Sequence, residues 1–281
     1  MVLPPGPLGL SDTALPLVRD LIVEQLGIHY DDARLESLRD RVAPLVVERG
    51  FGSFLDYYYL LKYDPEARGE WARVMDALSV PETYFWRELD QLRAVADVIV
   101  PGLAAERRSA PIRIWSVPCA TGEEPLTLAM LLEERGWFDR VPIEIHAADA
   151  SPAAIERART RRFRGRSFRA LPAAIKAKYF TECGDGWEVN ERLFARVTSW
   201  RVLNLVDAAQ NAALAGAQIV LCRNVLIYFS EPAIRRLVER LAALLSVPAY
   251  LCIGASESLL KLQTAFELEE IGGAFVYVKK N

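Results

Sequence analysis

The sequence predicts an α/β protein in two parts: a small all-helical N-terminal domain, then a doubly wound, mostly parallel sheet with a small antiparallel β insertion. Three observations point there. Over residues 13–79 apolar side chains recur at helical spacing and no strand pattern interrupts them. From Ile112 onward short β-rich runs alternate with helical segments, the rhythm of a parallel sheet covered on both faces. Phe180 to Trp200 breaks that alternation, with the turn signal Cys183-Gly184-Asp185-Gly186 followed by Trp187, Val189, Leu193, Phe194 and Val197.

Residues 1–12 include Pro4-Pro5-Gly6-Pro7 and no basic stretch, which predicts a flexible N-terminus and not a signal peptide. Leu35, Leu38, Val42, Leu45 and Val46 share one helix face, and Gly50 and Gly52 end the segment. Ser53 is placed to cap a helix over Phe54 to Lys62, rich in aromatics (Phe54, Tyr57, Tyr58, Tyr59). Asp64-Pro65 breaks it, and a helix containing Trp71 resumes over Glu66 to Leu78. Residues 80–111 are expected to be a connecting segment and helix, and 112–281 the α/β domain, with 180–200 as the β insertion. Strands are predicted at Ile112 to Val117, Ile143 to Ala148, Ile219 to Cys222, Ala249 to Ile253 and Phe275 to Val278. Helices are predicted at Leu126 to Arg135, from Ser151-Pro152 onward, and at Pro232 to Leu245; Ser-Pro is a good helix start.

Composition narrows the function. The chain has 281 residues, 52% apolar and 25% charged, which excludes wholesale disorder. Up to residue 79 it carries 8 basic and 13 acidic side chains, and beyond that 26 and 24. Neither part has the basic excess of a general nucleic-acid binder. Four scattered cysteines and two histidines, His29 and His146, fit no usual zinc spacing and give little support to a disulfide framework. No apolar run reaches about 18 residues, the length of a membrane span. A reduced, cytoplasmic protein without bound metal is expected.

Four segments could carry chemistry. Ser116 to Pro125 follows the first strand with small residues and two glutamates; it is neither GxGxxG nor a triphosphate loop. Asp149 ends the second strand, 27 residues beyond Gly122, where an acid can accept ribose hydroxyls. Together they suggest an adenosine-containing ligand without a demanding phosphate site, and S-adenosylmethionine fits. Cys222-Arg223-Asn224-Val225-Leu226-Ile227-Tyr228-Phe229 continues a buried-looking strand at the same edge. Pro81 to Glu88 adds Thr83 and Arg87 among aromatics. Seven arginines between Arg157 and Arg169 read as a basic surface or a solvated face.

These blocks resemble the CheR-type chemoreceptor glutamate methyltransferases. Glu82-Thr83-Tyr84-Phe85-Trp86-Arg87 is similar to the family's N-E-T-x-F-F-R. Trp115-Ser116 through Thr121-Gly122-Glu123-Glu124-Pro125 is similar to its W-S-x-x-x-S-T-G-E-E-P. Cys222 to Phe229 is similar to its C-R-N-V-L-I-Y-F, and Gly254-Ala255-Ser256-Glu257-Ser258 to its G-H-S-E-S. Pro81, Trp86, Gln218 and Ala255 depart from the family's usual residues. The resemblance implies a Rossmann-like class I methyltransferase domain binding S-adenosylmethionine through Thr83, Arg87, Glu124, Asp149, Asn204, Leu205, Asn224 and Val225. It implies methyl esterification of glutamates on the cytoplasmic helical bundle of methyl-accepting chemoreceptors, with no nucleic acid, membrane insertion or metal, by a monomer. Arg87 and Tyr228 are the expected catalytic residues, Arg87 on the cofactor or the substrate carboxylate and Tyr228 lining the transfer site. Arg34 and Arg41, seven apart, are candidate contacts to the receptor. The alternative is a sensor or scaffold that binds S-adenosylmethionine or S-adenosylhomocysteine without turnover.

Overall fold

A computed structural model describes residues 12–106 and 110–280; the N-terminal segment read as flexible lies almost wholly outside them. The chain divides into a helical unit, 1–80 with Tyr228–Ala233, and an α/β unit made of Pro81–Ile227 and Ile234–Asn281.

The helical unit holds α1 (Leu15–Leu26), α2 (Leu35–Glu48), α3 (Phe54–Tyr63) and α4 (Ala67–Leu78). Its core is the apolar stripe of each helix: Val18 and Ile22, Leu38, Val42 and Val46, Phe54 and Tyr57, Val74 and Leu78. Ser53 caps α3 as its sequence position suggests, its Oγ accepting the Asp56 N–H at 3.3 Å. Pro44 lies inside α2 without ending it. Arg34 sits in the 3₁₀ turn ahead of α2 and donates to the His29 carbonyl. Arg41 donates to the carbonyls of Ala77 and Leu78, at 3.4 and 3.1 Å, closing the end of α4. Arg34 and Arg41, the candidate receptor contacts, therefore lie on different elements, and Arg41 has a structural partner.

The α/β unit opens with α5 (Leu89–Ala94), a π-turn at Val95–Ile99 and α6 (Val100–Ala105). Then follow β1 (Ile112–Ser116), α7 (Glu123–Glu134), β2 (Ile143–Asp149), α8 (Pro152–Arg159), β3 (Arg162–Phe163), α9 (Ala173–Tyr179), β4 (Phe180–Cys183), β5 (Gly186–Val189) and α10 (Glu191–Phe194). The rest is β6 (Val197–Val202), α11 (Ala208–Asn211), β7 (Ile219–Leu221), α12 (Glu231–Leu244), β8 (Ala249–Cys252), β9 (Glu267–Ile271) and β10 (Ala274–Lys279). Seven strands form the main sheet in the order β6-β2-β1-β7-β8-β10-β9. All neighbours are parallel except β10, which runs antiparallel to both β8 and β9. β1, β7 and β8 are apolar almost throughout because both faces are covered.

The small antiparallel sheet is β3-β5-β4. The hairpin turns at Cys183–Gly186, where the sequence signalled it. Two details differ from the sequence reading. Val197–Trp200, grouped there with the insertion, belongs to β6 and pairs with β2. Arg162–Phe163, unread as a strand, supplies the third strand of the small sheet. Phe163, Phe168 and Phe180 pack their rings against Phe85, which ties this sheet to the segment before α5.

Candidate active site

Strand order reverses between β1 and β7: the chain goes outward from β1 to β2 and β6, then returns to β7 and continues to β8. Ligands of open α/β sheets bind outside the carboxyl ends of the strands at such a point. The loops there are 117–122 after β1 and 222–227 after β7, with Asp149 at the end of the neighbouring β2.

The first loop is held by Asp149. Its Oδ2 accepts the Ala120 N–H at 2.8 Å and its Oδ1 the Ser151 N–H at 2.9 Å. Ala120 is left-handed (φ 46°), as is Gly122 (φ 99°). A Cβ on Gly122 would lie 2.9 Å from the Trp200 ring, so only glycine fits this turn. Glu123 and Glu124 then open α7, whose N-terminal dipole favours acids. Glu123 is buried, accepting the hydroxyls of Thr121 and Ser167 at 2.7 and 2.8 Å. Burial raises its pKa more than these bonds lower it.

Glu124 faces the second loop. Its Oε1 accepts the Ser116 hydroxyl at 2.7 Å and its Oε2 pairs with Arg223 at 2.9 Å. Arg223 is buried and also reaches Glu88 Oε2, at 3.2 Å, and the carbonyls of Arg87 and Glu88. Burial pushes the Glu124 carboxyl up, against the pull of Arg223 and Ser116. Burial also disfavours the Glu88 carboxylate, but Asn224, Arg223 and the Ala255 N–H together hold its pKa below the usual range. Asn224 is left-handed (φ 58°) and donates from Nδ2 to Glu88 Oε1 at 3.1 Å. Glu257 accepts the backbone N–H groups of Asn224, Gly254 and Ile227, at 2.9, 2.6 and 3.2 Å. The approach is close enough that a Cβ on Gly254 would fall 2.5 Å from Asn224 Nδ2.

The structure thus gathers Glu124, Asn224 and the Arg87–Glu88 backbone around Arg223, and sets Asp149 at the adjoining loop. Arg87 donates to the Glu82 carbonyl and its Nε lies 3.9 Å from Glu88. Thr83 lines a cleft with Thr121 and Glu123, beside the β1 loop. Asn204 follows β6, where its Oδ1 accepts the Val206 N–H at 3.0 Å, and Leu205 beside it is buried. Val225 is half-buried in the β7 loop. Tyr228 falls in the helical unit, its carbonyl accepting the His29 N–H at 2.7 Å. Sequence reasoning quoted Glu88, Arg223 and Glu257 within motifs but assigned them no role. A charged residue directly after the apolar run Ile219–Cys222 was the available signal for Arg223.

The departures separate by place. Gln218 stands at the amino end of β7, where its Oε1 accepts the Arg113 N–H at 2.7 Å, on the edge opposite the loops. Ala255 donates its backbone N–H to Glu88 at 3.1 Å, so this position serves the cluster without its side chain. Cys119, Cys222 and Cys252 are buried free thiols whose pKa burial raises, while Cys183 is half-buried. Raised thiols are poor nucleophiles. Among the described residues no group of His, Cys, Asp and Glu is arranged to hold a metal, and no helix is long and apolar enough to cross a membrane.

The donor set suits S-adenosylmethionine. Carboxylates and amides at the switch point match a ribose diol, a sulfonium and an ammonium, and no lysine of a phosphate loop is present. Residues 81–274 match the family model of the CheR methyltransferase SAM-binding domain, and 13–79 that of its all-alpha domain. The chain is 30% identical over 273 residues to chemotaxis protein methyltransferase 2 of Vibrio cholerae, covering 96% of this chain and 94% of that one. It is 31% identical over 264 residues to the chemotaxis protein methyltransferase of Vibrio parahaemolyticus, covering 91% and 93%. It is 29% identical over 256 residues to the probable biofilm formation methyltransferase WspC of Pseudomonas putida, covering 91% of this chain and 59% of that one. The chain belongs to the CheR methyltransferase family and is an S-adenosylmethionine-dependent methyltransferase.

Proposed function

We propose that the chain esterifies glutamate side chains of methyl-accepting chemoreceptors in the cytoplasm. The observation that carries this reading is the match of both family models, helical and α/β, together with relatives named as chemotaxis methyltransferases. When bound, S-adenosylmethionine supplies the methyl group on its sulfonium. The residues proposed to hold it are Asp149 and Asn204-Leu205 for the nucleoside, with Thr83, Arg87, Glu124 and Asn224-Val225 for the amino-acid portion.

The acceptor needs no base. A glutamate carboxylate, with a reference pKa of about 4.3, is ionised at neutral pH. Positioning and exclusion of water are then the protein's contributions. Arg223 has a positioning role in this reading: it holds Glu124 and the backbone of Arg87 and Glu88 in one geometry. Arg87 is assigned to the cofactor or to the incoming carboxylate, and Tyr228 to the transfer site.

The test joins two measurements. Calorimetric titration should detect S-adenosylhomocysteine binding by the wild type, weakened at least about tenfold in Asp149→Ala, a loss of about 1.4 kcal/mol. Labelled methyl transfer to receptor-containing membranes should be base-labile, as an ester is. Binding without transfer would replace the enzyme reading with that of a sensor or scaffold, and unchanged affinity in Asp149→Ala would remove that residue from the site.

A further inference from the structure

The arginine-rich stretch after α8 sorts into two groups by partner. Arg159 donates to the Trp200 carbonyl at 2.6 Å. Arg161 pairs with Glu188 at 2.7 Å and Arg164 with Asp185 at 3.4 Å. Arg166 and Arg169 both hold Glu82, at 2.5 and 2.6 Å. Among the described residues, the guanidinium groups of Arg157 and Arg162 have neither an acid at ion-pair distance nor a hydrogen-bonded carbonyl. Both line one cleft of about 350 Å³, whose walls include Thr83, Thr121, Glu123 and Ser167. Its one carboxylate, Glu123, is buried and already accepts two hydroxyls. Glu123 feels the charge of Arg157, but against this single carboxylate the cleft sets both Arg157 and Arg162, so it carries an excess of positive charge, and Thr121 places it at the loop of the sheet's switch point.

We propose that this cleft binds an acidic segment of the protein substrate, with Arg157 and Arg162 as the residues that select for it. The inference rests on the methyl-transfer reading above and adds a charge requirement to it. Guanidinium groups hold carboxylates in forked geometry, and at an open cleft they set encounter and substrate affinity more than turnover. A protein acceptor must bring a carboxylate to this edge of the sheet. An anionic surface around that carboxylate would find countercharge at Arg157 and Arg162.

The same chemistry has a second source, the α-carboxylate of the cofactor, and the experiment separates the two. Methylation kinetics on receptor membranes and S-adenosylhomocysteine titration are measured for the wild type and for Arg157→Gln/Arg162→Gln, at low and high salt. The expected result is a KM raised roughly tenfold with kcat within about twofold, a flattened salt dependence and an unaltered S-adenosylhomocysteine affinity. Arg162→Glu should raise KM further. An unchanged KM overturns the proposal, and so does a parallel loss of S-adenosylhomocysteine affinity, which would give the arginines to the cofactor. If the wild type transfers no methyl group to receptors, the functional reading fails on its own. Binding of a fluorescent polyglutamate peptide then decides the cleft: retained by wild type and lost in the double variant supports it, and no binding by wild type overturns it.

Discussion

In the helical unit a carboxylate sits at the centre of three donors, whereas in the α/β unit an arginine sits at the centre of two carboxylates. Glu70 is fully buried and accepts Tyr57 Oη at 2.7 Å, Arg49 at 2.6 Å and Arg73 at 3.2 Å. Its arginines reach in from the surface and share their remaining charge with Glu48 and Glu66. The backbone that carries Tyr57 and Glu70 is regular helix. Arg223 is also buried, yet its Nε finds no hydrogen-bond partner among the described residues. Around it Trp86, Glu88 and Asn224 stand in the left-handed region, at φ 70°, 45° and 58°. A satisfied, unstrained cluster is what fold stability requires. Strain and an unspent donor gathered at a sheet's switch point are what a binding site requires.

The sharpest way to break this comparison is to remove each centre. Arg223→Met should cost about 3 kcal/mol in chemical denaturation, because it leaves Glu124 and the half-buried Glu88 without their countercharge. It should also abolish S-adenosylhomocysteine binding; a stable variant that still binds would make the cluster incidental. Next in size, Gly122→Ala should cost roughly 3 kcal/mol, since the new Cβ meets Trp200 in a left-handed turn. Binding should fall with it. Glu70→Gln should cost about 2 kcal/mol through weakened buried hydrogen bonds and leave S-adenosylhomocysteine affinity unchanged in calorimetry.

The pH response sharpens the contrast further. Burial opposes ionisation of Glu70, but Tyr57, Arg49 and Arg73 outweigh it and hold its pKa below the ordinary value of 4.5. The unfolded chain therefore takes up this proton first. The stabilisation is full above 4.5 and is lost as pH falls through the lower folded value. Acid titration of wild type and Glu70→Gln should show the wild type losing its advantage below that pH; parallel curves would remove the assignment. Smallest of all, Ser53→Ala should lower stability by about 1 kcal/mol through the lost α3 cap, with no effect on ligand binding.

Much of the fold was legible because its signals are local. Caps at Ser53 and Ser151, the stripe from Leu35 to Val46 and the apolar runs of β1, β2, β7 and β8 need only neighbours in sequence. β9 was not legible: Glu267–Ile271 is an edge strand with acidic, exposed positions, so it has neither alternation nor an apolar run. β3 is two residues long and exists only through its pairing with β5.

The candidate site divides the same way. The sequence by itself determined the loop chemistry, the acid closing β2 and the polar end of β7, because each follows directly from residue type at a strand end. Only the tertiary structure decided that Arg223 joins Glu88 to Glu124, partners 135 and 99 residues away. It alone set Gln218 at the opposite edge of the sheet and, among the described residues, left the guanidinium groups of Arg157 and Arg162 without an ion pair or a hydrogen-bonded carbonyl. Those outcomes depend on strand order and on which charges come within ion-pair reach, and pairing across a sheet leaves no periodic trace in the chain.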